Sequence, residues 1–115
     1  MIQRYIRTPI MHRAVEANGF VFFGGIIADD LTLDMAGQTK QVLDKLETYL
    51  AESGTDKKNI VSATAYVSDL GLKKGMNDVW TGWFAPENLP SRATLGVADL
   101  GENVLLELVV TAVKS

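Results

Sequence analysis

Apolar and polar residues alternate along this chain with two different periods, and the switches between them divide it into eight elements. Residues 2–7 alternate loosely and predict a short strand, interrupted at Thr8-Pro9. His12 to Glu16 predicts a second strand. Asn18-Gly19, a pair suited to the positive φ angles of a tight hairpin, turns it into the β-rich run Phe20-Val21-Phe22-Phe23, closed by Gly24-Gly25. Ile26 and Ile27 extend the apolar character to Asp29-Asp30. The period then becomes helical. Asp34 is a candidate N-cap, Thr39, Val42, Leu43, Leu46 and Leu50 form one face, and Gly54 stands where a helix stops. Lys40 and Asp44, four apart, mark the outer side.

From Ile60 to Ser68 the period returns to two. Val61, Ala63, Ala65 and Val67 share one face, and Ser62, Thr64, Tyr66 and Ser68 the other. Asp69 is expected to cap a second helix, whose apolar stripe is Leu72, Met76, Val79, Trp80, Trp83 and Phe84. Pro86 and Pro90 end it and lead into a final hairpin, Pro90–Val97 and Val104–Ala112. The order β-β-β-α-β-α-β-β predicts one α/β domain of the α+β kind over residues 1–115, a mixed sheet with both helices packed on one face. No repeat, linker or low-complexity tract interrupts it.

The last two strands each carry one charge in an apolar setting, Arg92 and Glu107. A buried charge is costly unless it is paired or used, so these two residues are the first candidates for chemistry. An arginine fork also suits a carboxylate ligand. If Leu106, Leu108, Val110 and Ala112 face the helices, then Leu105, Glu107, Val109, Thr111 and Val113 face away. In a hairpin, Arg92, Thr94 and Gly96 would share that outer face, with Ala93, Leu95 and Val97 on the helix side and Thr94 about opposite Glu107. The outer face is itself apolar, which predicts a second copy of the chain covering it.

Composition narrows the chemistry. The 115 residues fit one domain, and 47% are apolar, enough for a core. The net charge of -3 and a pI near 5.0 argue against a duplex-binding surface. The lysine pairs Lys57-Lys58 and Lys73-Lys74 read as solvated charges. With no cysteine, disulfides, thiolate catalysis and cysteine-held zinc drop out. With His12 alone and no Gly-x-Ser-x-Gly, neither a serine triad nor a histidine-rich metal site is indicated. The opening residues do not read as a signal peptide and no run approaches bilayer length, so the expectation is a soluble, cytoplasmic protein.

These residues resemble the reactive-intermediate deaminase family, also called RidA/YjgF/L-PSP, over nearly the whole chain. The features that carry the likeness are Ala14-Val15, Gly19, Gly25, Gln38, Leu43, Gly54, Ile60-Val61, Tyr66-Val67-Ser68-Asp69, Met76-Asn77, Phe84, Pro90-Ser91-Arg92 and Glu107. Pro-x-Arg followed by a strand with a central Glu is the most specific of them. The resemblance implies a chorismate-mutase-like fold and a homotrimer with sites between subunits. It also implies hydrolysis of 2-imino or enamine acids to 2-keto acids and ammonia, with no metal or organic cofactor. Arg92 would grip the substrate carboxylate and Glu107 would orient a water and move protons, with Gly25 and Asn77 near the pocket. The chain departs from the family in having Thr94 for a frequent cysteine and Met11, beside His12, near a pocket tyrosine. Gly24 stands for a serine and Ile26 for a glutamine, changes expected to make the pocket more apolar.

Each candidate has a plainer reading. Arg92 and Glu107 could form an intersubunit salt bridge. His12 reads as a surface or turn residue, or as a donor in place of the tyrosine. Gly24-Gly25 reads as close packing or a bulge, and not a phosphate loop. Met76, Trp80, Trp83 and Phe84 read as core before they read as a stacking platform, and Asp29-Asp30 as a solvated loop. Three functions follow: an imine or enamine deaminase, a non-catalytic trimer that binds small carboxylic acids as a sensor or chaperone, and, more weakly, an endoribonuclease.

Overall fold

Asn18 and Gly19 take φ angles of 52° and 81°, so β2 (His12–Ala17) and β3 (Phe20–Ile26) meet through the two-residue turn expected for this pair. The computed structural model describes all residues, 1–115. The remaining elements are β1 (Gln3–Arg7), α1 (Met35–Glu52), β4 (Ile60–Val67), α2 (Lys73–Trp83), β5 (Ser91–Gly96) and β6 (Leu106–Val113). Short 3-10 turns lie at Lys57–Asn59, Leu70–Leu72 and Pro86–Asn88.

The Asp34 carboxylate accepts from the Gly37 N–H at 2.9 Å, which starts α1. The helix buries Thr39, Val42, Leu43, Leu46 and Leu50, the stripe set by the sequence. It ends at Ser53, and Gly54 at φ 80° turns the chain away. Asp69 caps the 3-10 turn that leads into α2 and does not cap the helix itself. That turn displaces Leu72 from the apolar stripe to the surface, while Met76, Trp80 and Phe84 go into the core. Leu106, Leu108, Val110 and Ala112 of β6 meet both helices in one buried cluster.

The sheet order is β1-β2-β3-β6-β4-β5, antiparallel except for the β4–β5 pair. Two expectations are corrected. First, β5 and β6 are not a hairpin. Helix α2 carries the chain back so that β5 runs parallel to β4, and β6 inserts between β3 and β4. Thr94 therefore lies opposite Ala65, and the partner of Glu107 is Tyr66. Second, a bulge between Ile60 and Ser62 reverses the start of β4, so Ile60 enters the core and Val61 is 43% exposed.

The sheet face opposite the helices is uncovered in one protomer. Phe22 of β3 is 48% exposed, with Phe20 beside it, and Leu95 of β5 is 47% exposed. This is the open apolar face that the alternation in β6 predicts.

A charged cluster ties the chain ends together. Glu16 accepts from the Tyr5 hydroxyl at 2.6 Å and from Lys114 Nζ at 3.0 Å, and Lys114 also donates to Ser53 O at the end of α1. The Tyr5 and Lys114 hydrogen bonds hold the Glu16 carboxyl below its ordinary value, and the Glu16 bond holds the Lys114 ammonium above its own. A depressed carboxyl stabilises the fold above its unfolded-state pKa, and the effect fades as pH falls through the folded value. A raised ammonium stabilises below its unfolded-state pKa and loses its effect as pH rises through the folded value. Urea denaturation across pH should therefore show Glu16→Gln less stable than the parent at pH 7, with the gap closing toward acid and again toward strong alkali.

Candidate functional site

Arg92 sits on the edge strand β5, and its strand partner is Ala63, which is buried beneath the helices. Paired residues share a face, so Arg92 and Thr94 lie on the helix side while Ala93 and Leu95 lie on the open side. This reverses the expected faces of β5. The long arginine stem lies along apolar surface while its head reaches the rim, which lets a charge occupy the helix side of an edge strand.

Helix α2 fixes that head from two sides. Arg92 Nη2 donates to Asn77 Oδ1 at 2.6 Å. The guanidinium carbon stands 5.1 Å from the centre of the Trp80 ring, within cation–π range. Asn77 and Trp80 are three residues apart and so share a helix face. Burial pushes the Arg92 pKa down, yet a guanidinium stays charged at any physiological pH. Thr94, two residues on, is half-buried on the same face.

Glu107 lies on the other face of the sheet, half-buried on β6. Its carboxylate lies against Gly25. The β3–β6 register shifts between Phe23 and Ile26, and a Cβ at Gly25 would occupy the space of Glu107 Oε2. Only glycine leaves that room. The five ion pairs of the protomer all join other residues, so neither Glu107 nor Arg92 is neutralised by the other. Met11 packs on Gly24, where a Cβ would stand 3.2 Å from its sulfur. The Thr8 hydroxyl holds Met11 there by accepting from its N–H at 3.1 Å. His12 is half-buried in β2, opposite Arg7. Ile26 is fully buried in the core, so the expectation that it makes the pocket more apolar is overturned.

The structure thus forms two half-sites. Arg92, Asn77 and Thr94 make one at the sheet edge on the helix side. Glu107, Gly25 and the Met11–Gly24 contact make the other on the β3–β6 side. The expectation that one protomer's last two strands bring Arg92 and Glu107 into one pocket fails, because the two side chains point to opposite faces. None of the protomer's surface concavities is lined by either residue.

Two residues have supporting roles that spacing did not show. Trp80 was assigned to the core by its spacing, and nothing in the spacing placed an arginine over its ring. Gln38 is fully buried; its Nε2 donates to Leu33 O and Asn103 O, and its Oε1 accepts from the Leu105 N–H at 3.0 Å. This amide clamps the start of β6 two residues before Glu107. A polar residue fully satisfied at a core position of α1 was the available hint.

A six-stranded mixed sheet backed by two helices, with a held arginine at its edge and a glutamate over a glycine bulge, defines a small α+β domain. The endoribonuclease L-PSP family model matches residues 5–114, and the chain belongs to that family, the RidA/YjgF/L-PSP group. It is similar to a RutC family protein of Haemophilus ducreyi, 39% identical over 112 residues, covering 97% of this chain and 96% of the relative. Among solved structures it is similar to a YjgF family member from Neisseria meningitidis, with a TM-score of 0.95 and 34% identity, covering 100% of this chain and 96% of the other. A protein of unknown function of the conserved Rid family from Yersinia pestis gives a TM-score of 0.90 at 27% identity, covering 98% and 99%.

Because the Gly25 position is filled by a carboxylate and not by backbone, Gly25→Ala should fold and move Glu107. A crystal structure of the variant is expected to show the Glu107 carboxylate swung away from β3 with the sheet unchanged. A Glu107 carboxylate left where it was would show that the glycine is not what makes room for it.

Proposed function

We propose that this protein hydrolyses reactive 2-imino or enamine acids to 2-keto acids and ammonia, in a site completed by two protomers. The observation that carries the reading is Arg92. Its guanidinium is fixed by Asn77 and Trp80, has no carboxylate partner in its own chain, and keeps N–H groups for a bidentate grip on a substrate carboxylate. Glu107, free of any cation, supplies the base. Acting on the imine tautomer, it takes a proton from water as the oxygen bonds to the imine carbon and returns that proton to the nitrogen, giving a carbinolamine. It then relays the hydroxyl proton to the nitrogen as the C–N bond breaks; ammonia leaves and the C=O forms. Thr94 lines the carboxylate side, and Gly25 and Met11 the water side. His12 lies beside Met11 in sequence as a further candidate donor. The reaction calls on no metal or organic cofactor.

The two half-sites lie on opposite faces of one sheet, so the edge of one protomer must approach the open face of the next. The exposed Phe20, Phe22 and Leu95 supply apolar surface for that contact. A head-to-tail contact makes a ring when the rotation between protomers closes, and a homotrimer would hold three equivalent sites.

A second reading is a trimer that binds small carboxylic acids without turnover, as a sensor or chaperone. It is favoured by the Met11–Gly24 contact, which puts a thioether and no hydroxyl beside the glutamate half-site. Cleavage of RNA is disfavoured by the net charge of -3. No helix is long and apolar enough to cross a membrane.

The test is ammonia release from an imino acid generated in place, measured above the spontaneous rate. Arg92→Ala should weaken substrate binding about 10- to 100-fold, the range for losing a charge-assisted pair. Glu107→Gln should lower kcat about 100-fold or more while a keto acid still binds. A parent protein that raises its Tm with a keto acid but never exceeds the spontaneous rate would favour the binding reading instead.

A further inference from the structure

We infer that Trp80 is a positioning residue for carboxylate recognition: its indole face holds the Arg92 guanidinium flat, so that the donors not used by Asn77 are aimed together at the ligand. The inference rests on the arginine role given above and goes beyond it.

Arg92 is anchored at one point by a hydrogen bond, Nη2 to Asn77 Oδ1 at 2.6 Å. A single hydrogen bond leaves the planar fork free to pivot about it. The ring of Trp80, 5.1 Å from the guanidinium carbon, supplies a second point of contact. An indole face offers no acceptor that would spend an N–H needed by the ligand, and it excludes water from one side of the cation. Desolvation of the guanidinium is consistent with this cover. The ring is itself immobilised. Trp80 is buried, and Phe84 packs on it with ring centres 4.9 Å apart. One turn and a neighbouring turn of α2 therefore carry the whole support of the arginine, and the rigidity of the helix is passed to the fork. A preorganised fork binds a carboxylate more tightly because less side-chain freedom remains to be lost.

A core-filling role alone would be met by any side chain of similar bulk. A positioning role needs a flat π face. The experiment compares Trp80→Phe with Trp80→Met, using a short 2-keto acid as the probe and calorimetry for Kd, alongside Arg92→Ala. Trp80→Met is expected to raise Kd about five- to tenfold, the cation–π range for a partly desolvated pair. Trp80→Phe is expected to stay within about twofold of the parent. In turnover the Met variant should show its loss in KM more than in kcat. Equal Kd values for the Phe and Met variants would overturn the inference. Loss of binding in neither Arg92→Ala nor the Trp80 variants, or no binding by the parent, would overturn the arginine role and the inference with it. Should the Met variant not fold, NMR of the parent decides: the Arg92 guanidinium is expected to show slowed rotation about its Nε–Cζ bond, and rotation as fast as that of surface arginines would refute the positioning role.

Discussion

Side chains alternate across a β-sheet, and that alternation sets Arg92 and Glu107 on opposite faces of a single sheet. No rotamer change can undo it, because the face of each residue is fixed by backbone pairing through Ala63 and Tyr66. Two opposite charges in apolar strands are thereby kept from pairing inside one protomer. Each is left for something outside it. The separation of the two candidate side chains and the absence of an ion pair between them both descend from this one constraint of register.

Each half-site is then built rigidly by its own part of the fold. On the helix side, α2 is pressed onto the sheet by Met76, Trp80 and Phe84, and its half-buried Asn77 and buried Trp80 hold Arg92. On the open side, the β3 bulge at Gly24-Gly25 makes the hollow that Glu107 occupies, and the Gln38 amide pins the entry to β6. These devices are local and differ in kind: a hydrogen bond with a π face, and a missing side chain with a buried amide. Both put the precision on regular elements and not on loops, as a site that must hold angstrom-scale geometry requires.

Much of this was legible in the sequence. Asn18-Gly19, Asp34 and Gly54 each acted locally, through φ or a cap, and the structure has them as expected. The helical stripe of α1 and the inward residues of β6 were fixed by period alone. The pairing of β5 was not legible, because Pro90 and the turn residues near Gly101 fit a hairpin as well as they fit a crossover return. Strand order is set by which pairing buries more, a global property that local turn chemistry does not report. The face assigned to Arg92 failed with it. Giving the helix side to the apolar Ala93, Leu95 and Val97 overlooked an edge strand, from which the arginine stem can lie on apolar surface while its head reaches the rim. The family match bears out the resemblance itself, but resemblance carried no information about which face each residue takes.

The central claim is that Arg92 of one protomer works with Glu107 of another. Co-assembly of Arg92→Ala with Glu107→Gln chains tests it most directly, with mass spectrometry confirming mixed oligomers. With substrate well below KM, each variant alone should keep no more than about a tenth of the parent rate. An equal, randomly assembled population should recover about a quarter of the parent activity, the share of sites that receive both intact groups. Mixed oligomers as inactive as the pure variants would contradict the account.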